Sequence, residues 1–272
     1  MKRLTDQSYW DTVHLGGGPA SQTRSPFRQW LRYIGRSYST EHFWKVLVRY
    51  LQPGPLDVLE IGSAPGESLR EFHARFGYEP YGVEYSPIGV RVNRENFKLW
   101  GLDPKNIFES DVFADEFQSR HRDRFDVTMS RGVIEHFTDL QPVIDAHVNL
   151  LKPGGRLIVS IPNYSGLNYA LGLLTVRALY PKHNLSIMRL KVFRGIFERP
   201  DLEPLFCGYE GGFDLGLLET EVQTAMTKRV LKVARTVQWG LNVLFNSICL
   251  GHAPESRYTS PHLLYIGRKR PR

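Results

Sequence analysis

Cysteine is almost missing from this chain of 272 residues: Cys207 and Cys249 stand apart and form no ligand cluster. They offer no disulfide framework and no zinc constellation, so a reducing cytoplasm is the expected compartment. Also missing is any apolar run near the roughly 20 residues that a membrane span needs. The opening Met1-Lys-Arg-Leu-Thr-Asp6 lacks an apolar signal core, and the chain reads as neither secreted nor integral. No fixed-period repeat and no long low-complexity tract is present, which excludes a solenoid and large-scale disorder. What remains is ordinary: 42% hydrophobic and 23% charged residues, enough for one core domain plus decoration. The net charge of +7 raises the question of polyanionic partners. Its carriers are scattered, from Arg24, Arg28, Arg32 and Arg36 to Lys228, Arg229, Lys232, Arg235 and the tail Arg268 to Arg272. Without one aromatic-interleaved basic strip, nucleic acid is disfavoured as a partner.

The informative stretch is Asp57-Val-Leu-Glu-Ile-Gly-Ser-Ala-Pro-Gly-Glu-Ser-Leu-Arg-Glu-Phe72. Apolar residues from Leu56 to Ile61 predict a buried strand, Gly62 and Gly66 a tight turn, and Leu69, Phe72 and Phe76 an ensuing helix. Such a turn after a first strand serves adenosine cofactors. A dinucleotide needs G-x-G-x-x-G, whereas Ala64 and Gly66 follow Gly62 here, and Glu67 would repel a pyrophosphate at the helix start. The spacing therefore argues against NAD.

The segment closely resembles motif I of class I S-adenosylmethionine-dependent methyltransferases, acid-x-Gly-x-Gly-x-Gly, in Glu60, Gly62 and Gly66, with Ala64 at the middle glycine. Four later segments carry the same resemblance in the same order. Tyr81-Gly-Val-Glu84 looks like the second strand, ending in the acid that takes the ribose hydroxyls. Ile107 to Val112 looks like the third, with Asp111 and Val112 reading adenine. Phe125 to Phe137 resembles the fourth strand and the Glu-His loop beside the reacting methyl group, in Glu135 and His136. Leu150-Leu-Lys-Pro-Gly-Gly155 followed by Arg156 to Pro162 resembles a helix stop and a fifth strand. The resemblance implies a Rossmann-like α/β fold, a seven-stranded and mostly parallel sheet with an antiparallel last strand. It implies S-adenosylmethionine as cofactor, contacted by Glu60, Gly62, Ser63, Ala64, Gly66, Glu84, Tyr85, Asp111, Val112, Ser130 and Arg131.

Outside that core, residues 1–52 read as a helical extension or lid, with a turn-rich Gly16 to Pro19 and helical patterning from Phe27 to Leu51. Residues 53–272 form the catalytic domain, with helical insertions near 164–185 and 220–250. Arg28, Arg32 and Arg36 keep helical spacing and could meet an anionic acceptor, or simply face water. Asn163 and Tyr164 leave the sheet at the edge where ligands bind, yet Asn, Ser and Gly also form plain turns. Residues 186–198 predict a helix, Leu205 to Phe213 strand six, and His262 to Arg268 the last strand. Between those strands Met226, Val230, Val233, Val237, Leu241, Leu244 and Ile248 form an apolar seam offset from Lys228, Arg229, Lys232 and Arg235. The seam either packs against a core or a second subunit, or rests on an anionic membrane.

Methyl transfer is an in-line displacement in which proximity and alignment dominate. A hydroxyl acceptor must still lose its proton, a task that suits histidine. His136 is the candidate general base, with Glu135 orienting it or facing the cofactor; His73 and His147 read as structural. Asp111, Asp115 and Glu116 raise the question of a metal, but Asp111 is claimed by adenine and the others read as a solvated loop, so no metal is assigned. Two functions stay open: a methyltransferase acting on a small molecule, sugar or lipid-linked intermediate, O-directed with nitrogen and carbon as the alternative targets, and a catalytically silent cofactor-binding scaffold or sensor of the same fold.

Overall fold

A computed structural model describes residues 2–15, 37–218, 225–249 and 254–271. Seven strands form one sheet: β1 (Asp57–Ile61), β2 (Glu79–Glu84), β3 (Ile107–Glu109), β4 (Phe125–Arg131), β5 (Leu151–Pro162), β6 (Leu202–Glu210) and β7 (His262–Lys269). Their order is β3-β2-β1-β4-β5-β7-β6. Strands β1 to β5 run parallel, and β7 lies antiparallel between β5 and β6. This is the expected Rossmann-like sheet with its antiparallel last strand. The order reverses between β1 and β4, and a ligand crevice belongs beyond the carboxyl ends of strands at such a point.

Both faces of the sheet are covered. Val58, Val127, Met129, Ile158, Leu264 and Ile266 point to one layer, while Leu157, Val159, Leu263 and Tyr265 point to the other. Nine described helices supply the layers: α1 (Gln7–Leu15), α2 (Tyr38–Val48), α3 (Glu67–Phe76), α4 (Pro87–Trp100), α5 (Asp115–Arg120), α6 (Gln141–Leu150), α7 (Gly166–Thr175), α8 (Leu190–Ile196) and α9 (Ala225–Val243). The helix limits follow local chemistry. Ser86 caps α4, its hydroxyl accepting from the Gly89 N–H at 3.1 Å, Pro87 occupies the first turn, and Gly101 ends the helix at φ 74°. Phe43, Trp44, Val46 and Leu47 of α2 join the same buried cluster as Val58 and Met129.

Three elements differ from their sequence reading. Strand β6 begins three residues earlier than Leu205 and stops at Glu210, because Gly211 takes φ 79° and turns the chain away. Strand β5 already starts at Leu151, paired with Phe125, and the pairing then skips to Val127 with Arg156. The excursion between them is tight: a Cβ on Gly155 would lie 2.9 Å from the carbonyl oxygens of both Asp126 and Lys152. Asp115 and Glu116 open a short helix instead of lying in a loop, and Glu116 pairs with Arg120 at 2.6 Å on its exposed side. The expected helix of residues 226–248 is α9 continued by a wider turn, Leu244–Ile248, closed by the Cys249 N–H on the Leu244 carbonyl at 3.0 Å. Among the described residues no helix is long and apolar enough to cross a membrane. The Gly16 to Pro19 turn, the Phe27 to Arg36 helix and with them Arg28, Arg32 and Arg36 lie outside the described residues.

Candidate active site

A cavity opens beyond the carboxyl ends of β1, β2 and β4, walled by one loop from each strand and roofed by the N-terminal segment. Gly62 and Ala64 come from the turn after β1, Glu84 and Tyr85 from the end of β2, Asp111 and Val112 from the loop after β3. Arg131, Gly132, Val133 and His136 follow β4, and Arg3, Thr5, Trp10 and His14 close it from above. The cavity is tight, about 150 Å³, below the roughly 300–1,000 Å³ of small-ligand sites. Gly62 stands at φ 70° and Gly66, which caps α3, at φ 95°. Both conformations favour glycine, and both glycines also make room for protein: a Cβ on Gly62 would meet Val133 at 2.9 Å, and one on Gly66 would meet Asn93 Oδ1 at 2.3 Å.

Three carboxyl groups define the electrostatics. Glu60 is 5% exposed, and burial pushes its carboxyl up to about 8 against the opposing effects of the Arg131 charge and the Ser68 hydroxyl. Its Oε2 has no hydrogen-bond partner. Glu84 is likewise raised by burial, with Oε1 accepting from the Ser86 N–H at 2.9 Å. Asp111 accepts from the Phe113 N–H at 3.1 Å through Oδ1, and its Oδ2 is held by the Arg3 guanidinium.

Arg3 belongs to a device the sequence reading missed. Lys2 to Leu4 runs along the loop after β4, with the Leu4 N–H on the His136 carbonyl at 2.8 Å and an antiparallel bridge between Arg3 and Phe137. The Arg3 guanidinium lies 5.1 Å from the Tyr85 ring centre, 5.3 Å from Phe113 and 5.9 Å from Phe137. Helix α1 then packs on α4, and Trp10 meets His136 edge-on at 5.0 Å. Its signal was the Tyr9-Trp10 pair inside a polar stretch, a weak mark without the contacts.

The Glu-His loop is buried. Glu135 is fully buried, neither carboxyl oxygen has a partner, and desolvation pushes it up to about 8. His136 donates its Nδ1–H to the Lys182 carbonyl at 2.8 Å, which leaves Nε2 as the free acceptor. Burial, helped by the nearby His183 and Lys182, lowers its pKa to about 3, so the ring is neutral. Glu135 therefore does not orient His136; a main-chain carbonyl does. His183 stands against His136 with ring centres 4.6 Å apart, its own Nδ1 on the Leu179 carbonyl at 2.7 Å. One ligand atom each from Glu135, His136 and His183 lies within 4.8 Å of the others, two imidazoles and a carboxylate of the kind that suits a divalent transition ion.

The other candidate residues are placed as follows. Tyr85 and Arg131 line the cavity, the latter with its guanidinium 4.4 Å from the Phe43 ring centre. Ser63 and Ser130 are buried beneath it, Ser63 accepting from Asn93 at 2.8 Å and Ser130 bonded to His147 at 2.9 Å. Asn163 donates to the Ser260 carbonyl at 2.7 Å and pins the turn after β5. Tyr164 reaches the Leu217 carbonyl at 3.4 Å and meets His183 edge-on at 5.3 Å. His147 is fully buried and structural, as read.

Comparison with known proteins gives a consistent picture. Residues 33–205 match the family model described as a methyltransferase domain. The chain is 31% identical over 121 residues to a ubiquinone biosynthesis O-methyltransferase of Cereibacter sphaeroides, a match covering 44% of this chain and 46% of the relative. It is 25% identical over 138 residues to the mitochondrial ubiquinone biosynthesis O-methyltransferase of Homo sapiens, covering 48% and 37%. The chain thus spans about half the length of the curated relatives it matches, or less. Among solved structures, a geranyl diphosphate C-methyltransferase from Streptomyces coelicolor A3(2), in complex with Mg2+, geranyl diphosphate and S-adenosyl-L-homocysteine, superposes with TM-score 0.54 at 13% identity, covering 97% of this chain and 98% of that one. A SAM dependent methyltransferase from Archaeoglobus fulgidus gives TM-score 0.50 at 15% identity, covering 90% and 100%. At these identities the structures speak for the fold alone.

Proposed function

The chain belongs to the methyltransferase domain family, and on that premise we propose that it transfers a methyl group from S-adenosylmethionine to a hydroxyl oxygen of a small-molecule, sugar or lipid-linked acceptor. The observation that carries this reading is the convergence of Gly62, Glu84, Asp111, Val112 and His136 on one cavity at the switch point of the sheet. The cofactor fits the buried acids: Glu60 Oε2 is a desolvated acceptor without a donor, and an amino-acid tail brings an ammonium group. Glu84 lies at the end of β2 to take ribose hydroxyls, while Asp111 and the Val112 N–H face the adenine end. When bound, the cofactor supplies a methyl group on a positively charged sulfur.

His136 does the acid-base work in this reading. With Nδ1–H fixed on Lys182, the lone pair of Nε2 accepts the hydroxyl proton. A ring of such low basicity takes little proton before transfer. Its acceptor strength matters as the C–O bond forms, when the attacking hydroxyl turns strongly acidic. Arg131 and the N-terminal segment hold the site and shut out water. The O-methyltransferase relatives support oxygen as the target. A second reading, metal-assisted transfer, is favoured by the grouping of Glu135, His136 and His183. Calorimetry with S-adenosylhomocysteine tests the cofactor, and a mass-shift screen of acceptors for added methyl groups tests the activity. If the cofactor binds and no acceptor in hydroxyl, amine or carbon classes is methylated, the chain is a silent scaffold. Loss of turnover on exhaustive chelation, restored by a divalent ion, selects the metal-assisted route; unchanged turnover removes it, and His136→Ala then tests the histidine as proton acceptor.

A further inference from the structure

Away from the cofactor cavity, α7 and α9 flank an apolar groove. Leu171 of α7, Phe213 and Leu215 after β6, and Val233, Ala234 and Val237 of α9 line it. The apolar surface continues past the groove: Leu173 and Leu174 of α7 point to solvent, Leu174 at 71% exposure and Val233 at 67%. Contiguous apolar surface of this kind on a folded domain marks an interaction face. Helix α7 has no charged residue, so nothing on it opposes entry into an apolar phase.

The charge around the groove names the partner. Of the segments that line it, α9 carries Lys228, Arg229, Lys232 and Arg235 and no acidic residue, while one acid, Asp214, stands between Phe213 and Leu215 and accepts from the Ser37 hydroxyl at 2.9 Å and the Gly216 N–H at 2.8 Å. Arg177, Arg229 and Lys232 are exposed, and Arg229 borders the groove itself. An apolar face rimmed by cations on helices too polar to cross a membrane matches the layered chemistry of a bilayer surface, hydrocarbon beneath anionic headgroups. We propose that α7 and α9 together dock this protein on an anionic lipid bilayer. The face is also connected to the site. Exposed Tyr169 of α7 stacks on Tyr180 at 5.0 Å, Tyr180 meets Tyr164 at 5.5 Å, and Tyr164 meets His183, the neighbour of His136. This aromatic row leads from the docking face to the methyl-transfer end of the cavity. That link to a lipid-borne acceptor rests on the methyltransferase reading; the docking itself does not.

The test is flotation of the full chain with vesicles of phosphatidylcholine alone or mixed with phosphatidylglycerol, at low and high salt. The protein is expected to float with the anionic vesicles at low salt and to be released by high salt. Lys232→Glu is expected to weaken binding about fivefold or more, since each basic residue near the surface counts for roughly that factor. The double variant Leu174→Glu, Val233→Glu is expected to abolish it, with thermal melting and S-adenosylhomocysteine binding unchanged because both side chains are exposed. Failure of the wild-type chain to float overturns the proposal, as does equal flotation of the double variant. A wild-type dimer in sedimentation that the double variant converts to monomer, without flotation of either, assigns the face to a second copy and likewise overturns it. Calorimetry without cofactor binding would instead remove the methyltransferase reading and leave the docking result standing.

Discussion

Replacing Glu60 by glutamine tests the electrostatics of the site through two opposed effects. The carboxyl is 5% exposed, and in the folded chain it keeps its proton up to about pH 8, against 4.5 as its ordinary value. Below pH 4.5 both folded and unfolded states carry the proton, and the residue does not make stability depend on pH. Between 4.5 and 8 the unfolded state has released the proton and the folded state has not, so stability falls as pH rises. The slope is about 1.4 kcal/mol per unit, and the window allows an upper bound of about 5 kcal/mol. Glutamine has nearly the same shape and no proton to lose. The gain of Glu60→Gln over wild type is expected to be smallest near pH 5 and to grow by roughly 2–4 kcal/mol at pH 8, less than the bound because buried sites relax and admit water. Urea unfolding of both proteins at several pH values measures the difference, in which all other titrating groups cancel. The same substitution keeps an oxygen acceptor but removes the negative charge that a carboxylate offers an ammonium group, so S-adenosylhomocysteine affinity is expected to fall about tenfold, a loss of roughly 1.4 kcal/mol. A stability difference that is flat from pH 5 to pH 8 would refute the reasoning about burial, and undiminished affinity would refute the role of Glu60 in the cofactor site.

Three further outcomes follow from named contacts. Arg3→Ala removes a guanidinium that holds Asp111 and lies over three rings; at about 0.5–1 kcal/mol per ring contact, S-adenosylhomocysteine is expected to bind several-fold more weakly and leave faster in stopped flow. His136→Ala is expected to lower turnover on a hydroxyl acceptor by about a hundredfold with cofactor affinity within a few fold, and an unaltered rate would point to proximity catalysis alone. Gly66→Ala puts a Cβ 2.3 Å from Asn93 Oδ1 at a φ of 95°; it is expected to cost on the order of 2–3 kcal/mol in urea unfolding, whether or not cofactor is present.

The sheet was legible because its strands announce themselves locally. Leu56 to Ile61 is apolar enough for a strand buried on both faces, and Gly62 ends it at a positive φ of 70°. The end of β6 was misplaced because Phe213 looks like strand material, whereas Gly211 decides where the strand stops. Gly66 shows the limit of reading a motif by its ligand. The motif assigns Gly66 to a cofactor contact, yet the missing side chain also gives room to Asn93, which donates to Ser63 and ties the turn to α4.

What could not be read is what depends on distant partners. His136 and His183 lie 47 positions apart, and nothing in either neighbourhood predicts that both rings donate to main-chain carbonyls and leave Nε2 free on each. Arg3 and Asp111 are separated by 108 positions, and their pairing changes the meaning of Asp111. An acid that is to accept from an adenine amino group must expose an oxygen, but Oδ2 is already held by a guanidinium and Oδ1 by the Phe113 N–H. Each oxygen has a second lone pair, so adenine can share Asp111 with Arg3 instead of displacing it. Under that sharing the carboxylate keeps its charge balanced as the adenine amino group arrives, and the N-terminal segment stays down over the cavity while cofactor is bound. Displacement would instead lift Arg3 from its three rings, and those lost contacts would weaken binding; the effect of Arg3→Ala therefore separates the two, since affinity falls if the acid is shared and rises if Arg3 has to be pushed aside.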